Sequence, residues 1–199
     1  MRLPAIVFAS LTMLWSCASA PQPMFPSELA DEGEAYQELD PVSVWSEESR
    51  QTYSSRVRLT LGAGLLRQKV SIRIDTPVNG QPTGRVAWSR PDRSDRNAIT
   101  TRTFTPNSAQ IRKLDDLIAQ NVIWQDTVEH WVVAQNPSGG FDYVCIDGVN
   151  VILERTTAAG YRFSQAIVQC AAPPAFIDIA AEIIDIANLG TTEVATWLQ

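Results

Sequence analysis

A single histidine, His130, occurs in 199 residues, together with three cysteines. One imidazole excludes the multi-histidine metal sites, which need two or more converging ring nitrogens. The chain has no H-E-x-x-H, no G-x-S-x-G and no phosphate-binding glycine loop, so zincin, nucleophile-elbow and P-loop chemistries lack their motifs. No C-x-x-C spacing supports a reactive thiol pair. The apolar run Leu3–Trp15 holds 13 positions, too few for a bilayer-spanning helix, which takes ~20 residues. Basic residues are missing altogether from Glu28 to Glu48, a stretch with eight acids. The formal net charge of −6 therefore belongs to the front of the chain, because residues 49–199 hold 14 acids and 15 bases. So near-neutral a remainder, with no aromatic interleaving apart from Trp88, points away from a nucleic-acid partner.

What is present suffices for one globular domain. Hydrophobic residues make up 45% and charged residues 19%, an ordinary folded composition. A portion of about 150 residues buries roughly 70% of its unfolded surface and needs neither zinc nor a dense disulfide framework. The opening MRLPAIVFASLTMLWSCASA has the layout of an export signal, with Arg2, an apolar run and then small residues. Two endings compete. Ala18-Ser19-Ala20 looks like an A-x-A cleavage site followed by Pro21. Leu14-Trp15-Ser16-Cys17 resembles the lipobox of bacterial lipoproteins, with Trp15 where a small or aliphatic residue is usual. That resemblance implies acylation of Cys17 and a membrane partner through an N-terminal lipid anchor. The expected organisation is a signal peptide at 1–16, an acidic, Pro-containing tether at 17–49, one domain at 50–190 and a tail at 191–199. Like charges keep such a tether extended; the alternative is an acidic arm docked on a basic partner surface.

Period-two alternation marks strands at 56–61 and 69–75, with Val57, Leu59, Leu61, Val70, Ile72 and Ile74 inward. Asn79-Gly80 predicts a hairpin turn, with a return strand at 84–89 and a Thr-rich strand at 99–105. The outward positions carry Arg56, Arg58, Lys69, Arg73 and Arg85, and the next loop carries Arg90, Arg93 and Arg96. On one face they form a surface for an anionic ligand: lipid headgroups, a cell-wall polymer or the acidic tether itself. The plainer reading is a solvated sheet face. Asn107-Ser108 caps a helix carrying Ile111, Leu114, Leu117 and Ile118 to about Asn121. A strand follows at 127–134. Pro173-Pro174 opens, and Gly190 closes, a last helix with a wide apolar face.

The stretch from Phe141 to Cys170 reads as a three-stranded meander turning at Asp147-Gly148 and Ala158–Gly160. Its register sets Cys145 across one strand from Cys170, roughly 10 Å away, whereas a disulfide needs Cα atoms within ~7 Å. An exported chain with two mature cysteines nevertheless points to a Cys145–Cys170 bridge. Either the chain bends back after Val168 or the strand order differs. Three sharper readings each have a plainer rival. His130 with Cys145 or Cys170 would make a Cys–His nucleophile pair, against a structural histidine. Asp142, Asp147 and Glu154 would make a hydrolytic carboxylate pair, against turn and sheet roles. Asp178, Glu182 and Asp185 would line a cation, against a solvated helix face.

Asp147-Gly148, Leu153-Glu154 and Gly160-Tyr161-Arg162, followed by a cysteine and an apolar helix, resemble uncharacterised exported proteins of alphaproteobacterial type. The resemblance covers about residues 55–190 and implies a small α+β domain, without an activity or catalytic residues. The expected fold class is α+β: an antiparallel sheet of hairpins and meander with two helices packed on one face. The expected protein is a lipid-anchored, periplasm-facing envelope component without a cofactor, with a soluble secreted protein as the alternative. Its expected role is a non-catalytic binding or structural module for an envelope protein or anionic polymer. The alternative role is an envelope hydrolase using a carboxylate or Cys–His site.

Overall fold

The computed structural model describes residues 29, 39–63, 68–89, 99–121, 123–124, 127–134, 136, 138–140, 143–145 and 148–198. Cys17, Asp142, Asp147, Arg90, Arg93 and Arg96 lie outside them. The elements are α1 (Glu47–Thr52), β1 (Tyr53–Ala63), β2 (Gln68–Pro77), β3 (Thr83–Ser89), β4 (Ile99–Phe104), α2 (Ser108–Gln120), β5 (Val128–Trp131), β6 (Val133–Ala134), β7 (Tyr143–Val144), β8 (Val149–Thr157), β9 (Gly160–Ile167), α3 (Pro174–Ile186) and α4 (Glu193–Thr196). Seven strands form one sheet in the order β4-β3-β2-β1-β8-β9-β5. Every pairing in it is antiparallel except β5 with β9. The fold is thus mixed α and β, built on a mostly antiparallel sheet.

Alternation explains one side of this sheet. Val57, Leu59, Leu61, Ile72, Ile74, Val86, Val151, Leu153 and Ala166 join one apolar cluster with Leu114 and Ile118 of α2 and with Phe176, Ile179 and Ile183 of α3. Asn107 caps α2 in a capping box with Gln110, satisfying N–H groups that a helix start leaves unpaired. Pro174 begins α3, where its missing N–H costs nothing. Asn188, at φ +54°, turns the chain out of α3, two residues before the expected Gly190 stop. The C-terminal tail is not loose: Trp197 and Leu198 are buried in the same cluster.

The other side departs from expectation. Arg56, Arg58 and Thr60, read as the wet positions of β1, are buried as fully as their apolar neighbours. The cause is the segment ahead of β1. Residues 39–46 lie across this face as a strap, and Leu39, Asp40 and Val44 are buried beneath it. The Val44 carbonyl accepts from the Thr156 hydroxyl at 2.6 Å. Leu29 is fully buried with Ile152 and Phe163. At these positions the chain expected to be a solvated tether is instead a covering layer.

The expected meander also changes. β8 and β9 form its hairpin around Ala158-Ala159, but Cys145 is not opposite Asn150, which pairs with Gly62 and Ile167. Instead β7 pairs with β6 in a separate two-stranded sheet, and the Cys145 N–H donates to the Val132 carbonyl at 2.9 Å. The run 127–134, expected as one strand, is divided at Val132 between the two sheets. After Val168 the chain folds back through Gln169 at φ +69°, where Ala171 and Ala172 both donate to the Ile167 carbonyl. That turn brings Cys170 to Cys145 with Cα atoms 6.0 Å apart, and the disulfide forms. Both routes to closure operate together: a bend after Val168 and a different strand order.

Candidate functional site

Three arginines of the outward positions, Arg58, Arg73 and Arg85, form a row across three strands, covered by the strap and not an open basic surface. Cross-strand pairing sets Arg58 of β1 opposite Arg73 of β2, and Arg73 opposite Arg85 of β3. On its other side Arg58 faces Glu154 of β8. Antiparallel register puts such partners side by side on one face, so the row Arg85–Arg73–Arg58–Glu154 follows from pairing alone. Arg56 lies one row away, opposite Asp75. Lys69 sits four residues from Arg73 along β2, roughly 13 Å at the strand rise, and is not in the row.

Three cations side by side repel unless an anion intervenes, and Asp40 of the strap intervenes. Both its carboxylate oxygens accept from the Arg73 guanidinium. Oδ1 also accepts from Arg85 Nη1 at 3.1 Å, and Arg58 Nη1 stands 4.0 Å from Oδ2. The strap backbone adds to this. Arg58 Nη1 donates to the carbonyls of Asp40 at 3.0 Å and Val42 at 2.9 Å, and Arg85 donates to the Leu39 carbonyl at 3.1 Å. Arg58 turns its remaining fork to Glu154, Nε to Oε2 at 2.5 Å and Nη2 to Oε1 at 3.0 Å. Glu154 is completed by the Tyr161 hydroxyl at 2.9 Å.

A second group extends the network. Arg56 Nε meets Asp75 Oδ1 at 2.6 Å, and Arg73 Nε meets Asp75 Oδ2 at 3.0 Å. Arg56 Nη1 donates to the Ser49 hydroxyl at 2.8 Å, and its guanidinium lies 3.8 Å over the Tyr53 ring. Ser49 in turn donates to the Ser43 carbonyl at 2.7 Å, so this branch also ends on the strap. Four arginines are set against three carboxylates, with side chains mostly removed from water. Burial alone would lower the Arg58 pKa, yet Glu154 and then Asp40 hold it above the ordinary arginine value.

The remaining candidates do not converge on this network. His130 is exposed, with Nδ1 3.0 Å from Gln165 Oε1 and its ring against Phe163. Cys145 and Cys170 are bonded to each other, so neither supplies a thiol for a Cys–His pair. Asp178 and Asp185 are exposed as expected, whereas Glu182 is buried and bridges to Lys113 of α2. The acids on α3 were expected to share a wet face; one of them instead joins two helices. Among the described residues no group of three or more His, Cys, Asp or Glu side chains could hold a metal ion.

What sequence reading missed was Asp40, which looked like one of eight interchangeable acids. A usable signal was present: β1–β3 carry four arginines and one lysine on the outward face, and the planar guanidinium fork is the group suited to buried carboxylates. No protein-family model matches the chain, and no curated protein sequence matches it either. Among the described residues no helix is long and apolar enough to cross a membrane.

Proposed function

We propose that this chain is an exported bacterial envelope lipoprotein, acylated on Cys17, whose domain is a non-catalytic binding or structural module clamped to its own N-terminal segment. The observation that carries this reading is the strap itself. The arginine row spends its donors on Asp40 and on strap carbonyls, so the anionic ligand of this face is the chain that leads to the anchor. With Leu29 buried on the sheet, 11 residues lie between it and Cys17. Fully extended they reach about 40 Å, at ~3.3–3.6 Å each. The domain then works beside the membrane that holds Cys17 and not at the end of a long leash. Its two long helices share one face of the sheet, opposite the strap, and face the periplasm as a surface for an envelope protein. The alphaproteobacterial resemblance of the Asp147–Arg162 stretch fits the same setting.

The hydrolase reading has no support of comparable kind, because Glu154 is held by Arg58 and Tyr161 and Cys145 and Cys170 are bonded to each other. Mass spectrometry of the mature N-terminus tests the anchor. The expected species begins at an acylated Cys17, and an unmodified chain beginning at Pro21 overturns it. Crosslinking in intact envelopes tests the role: a partner protein lost on releasing the anchor with Cys17→Ser supports it. A chain that captures no envelope component counts against the binding module.

A further inference from the structure

On the helix side of the sheet, away from the strap, β2, β3 and β4 run past the cover given by α2 and α3. The C-terminal segment closes over them and leaves a cavity of about 370 Å³. Its floor is set by register. Val70 lies opposite Trp88, and in the adjacent row Val86 lies opposite Arg102. Its roof comes from Leu189, Thr192, Val194 and Trp197. Two indoles and four aliphatic side chains thus enclose a space of the size that small ligands occupy, where apolar walls are joined by a few placed polar groups.

The polar group that matters is Arg102. It lies on the edge strand β4 and is exposed at the rim. One of its nitrogens donates to the Ala187 carbonyl at the end of α3, which holds the guanidinium between sheet edge and helix end. Among the described residues no carboxylate pairs with it, in contrast to Arg56, Arg58, Arg73, Arg85 and Arg155, each of which meets an acid. Gln68, Ser89 and Thr192 complete the polar lining, and none is charged. The lining is therefore an apolar slot with one fixed positive charge at its mouth.

We propose that this cavity binds a single-chain amphiphile with an anionic head, its carboxylate or phosphate at Arg102 and its alkyl chain between Trp88 and Trp197. Charge complementarity selects the head, because a guanidinium held by one carbonyl keeps further N–H donors for two oxygens. The apolar walls select the tail, since each methylene buried there leaves water. The proposal is independent of lipidation at Cys17 and of the arginine row.

The test uses the full-length chain with Cys17→Ser, to prevent acylation, and reads quenching of indole fluorescence by a terminally brominated dodecanoate below its micellar concentration. Saturable quenching is expected, at least tenfold weaker in Arg102→Gln and reduced when Trp88 and Trp197 are replaced by Phe. Thr192→Trp, which fills the mouth from a non-core position, should abolish it while leaving the thermal midpoint unchanged. One comparison needs no variant: dodecanoate should displace the probe and dodecylammonium should not. Displacement by dodecanoate but not by a lauroyl lysophosphatidylglycerol identifies a free fatty acid as the ligand, and displacement by the lysophosphatidylglycerol at a tenfold lower concentration than dodecanoate identifies a lipid phosphate. Absence of saturable quenching, equal displacement by the ammonium amphiphile, or unaltered binding in a folded Arg102→Gln would overturn the proposal.

Discussion

Among the described acids of the front segment, Asp40 carries the most of this structure. Glu47 meets Arg50 with both side chains largely exposed, and such pairs contribute ~0–1 kcal/mol. Asp40 is 3% exposed and answers Arg73 and Arg85 directly. Removing one partner of a buried ion pair leaves an uncompensated charge and costs about 3–5 kcal/mol. Asp40→Ala should therefore lower the unfolding free energy by about 3 kcal/mol in urea titration, while Glu47→Ala should leave it within about 0.5 kcal/mol. Arg58 makes a complementary case. Lysine keeps the charge but has no planar fork, so it cannot meet both Glu154 oxygens and the carbonyls of Asp40 and Val42 together. Arg58→Lys should destabilise by about 2 kcal/mol despite conserving charge, and a midpoint equal to that of the unaltered protein would contradict the fork geometry.

Among the elements, α2 and α3 are joined by apolar packing and by one ion pair, Lys113 with Glu182. The hydrogen bond that Lys113 donates to Glu182, and then the charge of that carboxylate, raise the Lys113 pKa above the ordinary lysine value. For a base whose folded pKa is raised, the stabilisation is complete below the unfolded value of about 10.4 and is lost as pH rises through the folded one. The difference in thermal midpoint between the unaltered chain and Lys113→Met should be constant from pH 7 to 9 and should close above about pH 10.4. A difference that instead closed on acidification would place the effect elsewhere. Asp115, on the same helix, is also raised, for a different reason. Burial raises its carboxyl above the usual range, Arg155 at 2.8 Å opposes the rise, and Asp116 adds to it.

Among the described residues a seven-stranded sheet is clasped by a disulfide to a smaller, two-stranded one. The disulfide ties the small β6–β7 sheet to the turn after β9 and closes a loop of 25 residues. In the chain-entropy model such a loop contributes about 3 kcal/mol. Reduction, or joint replacement of Cys145 and Cys170 by Ala, should lower stability by that amount. Hydrogen exchange should show β6–β7 losing protection first, because only two residue pairs hold it. The seven-stranded sheet should keep its protection, since long ladders on both sides of β1 hold it.

Much of the fold was legible because it is local. The alternation of Val57, Leu59 and Leu61, the cap at Asn107 and the Pro173-Pro174 start are written within a few residues of where they act. Pairing across distance was not. The parallel contact of β5 with β9 leaves no mark in either segment, and the run 127–134 has one alternating pattern although it serves two sheets. The candidate site divides in the same way. Period two put Arg56 and Arg58 on the outward side of β1, and Arg73 and Arg85 on the outward sides of β2 and β3; that these sides form one face came from the register. It could not say whether that face meets water, a polymer or the chain itself. Only the tertiary structure decided this, by placing Asp40 among three guanidinium groups that are its neighbours in space and 18 to 45 positions away in sequence.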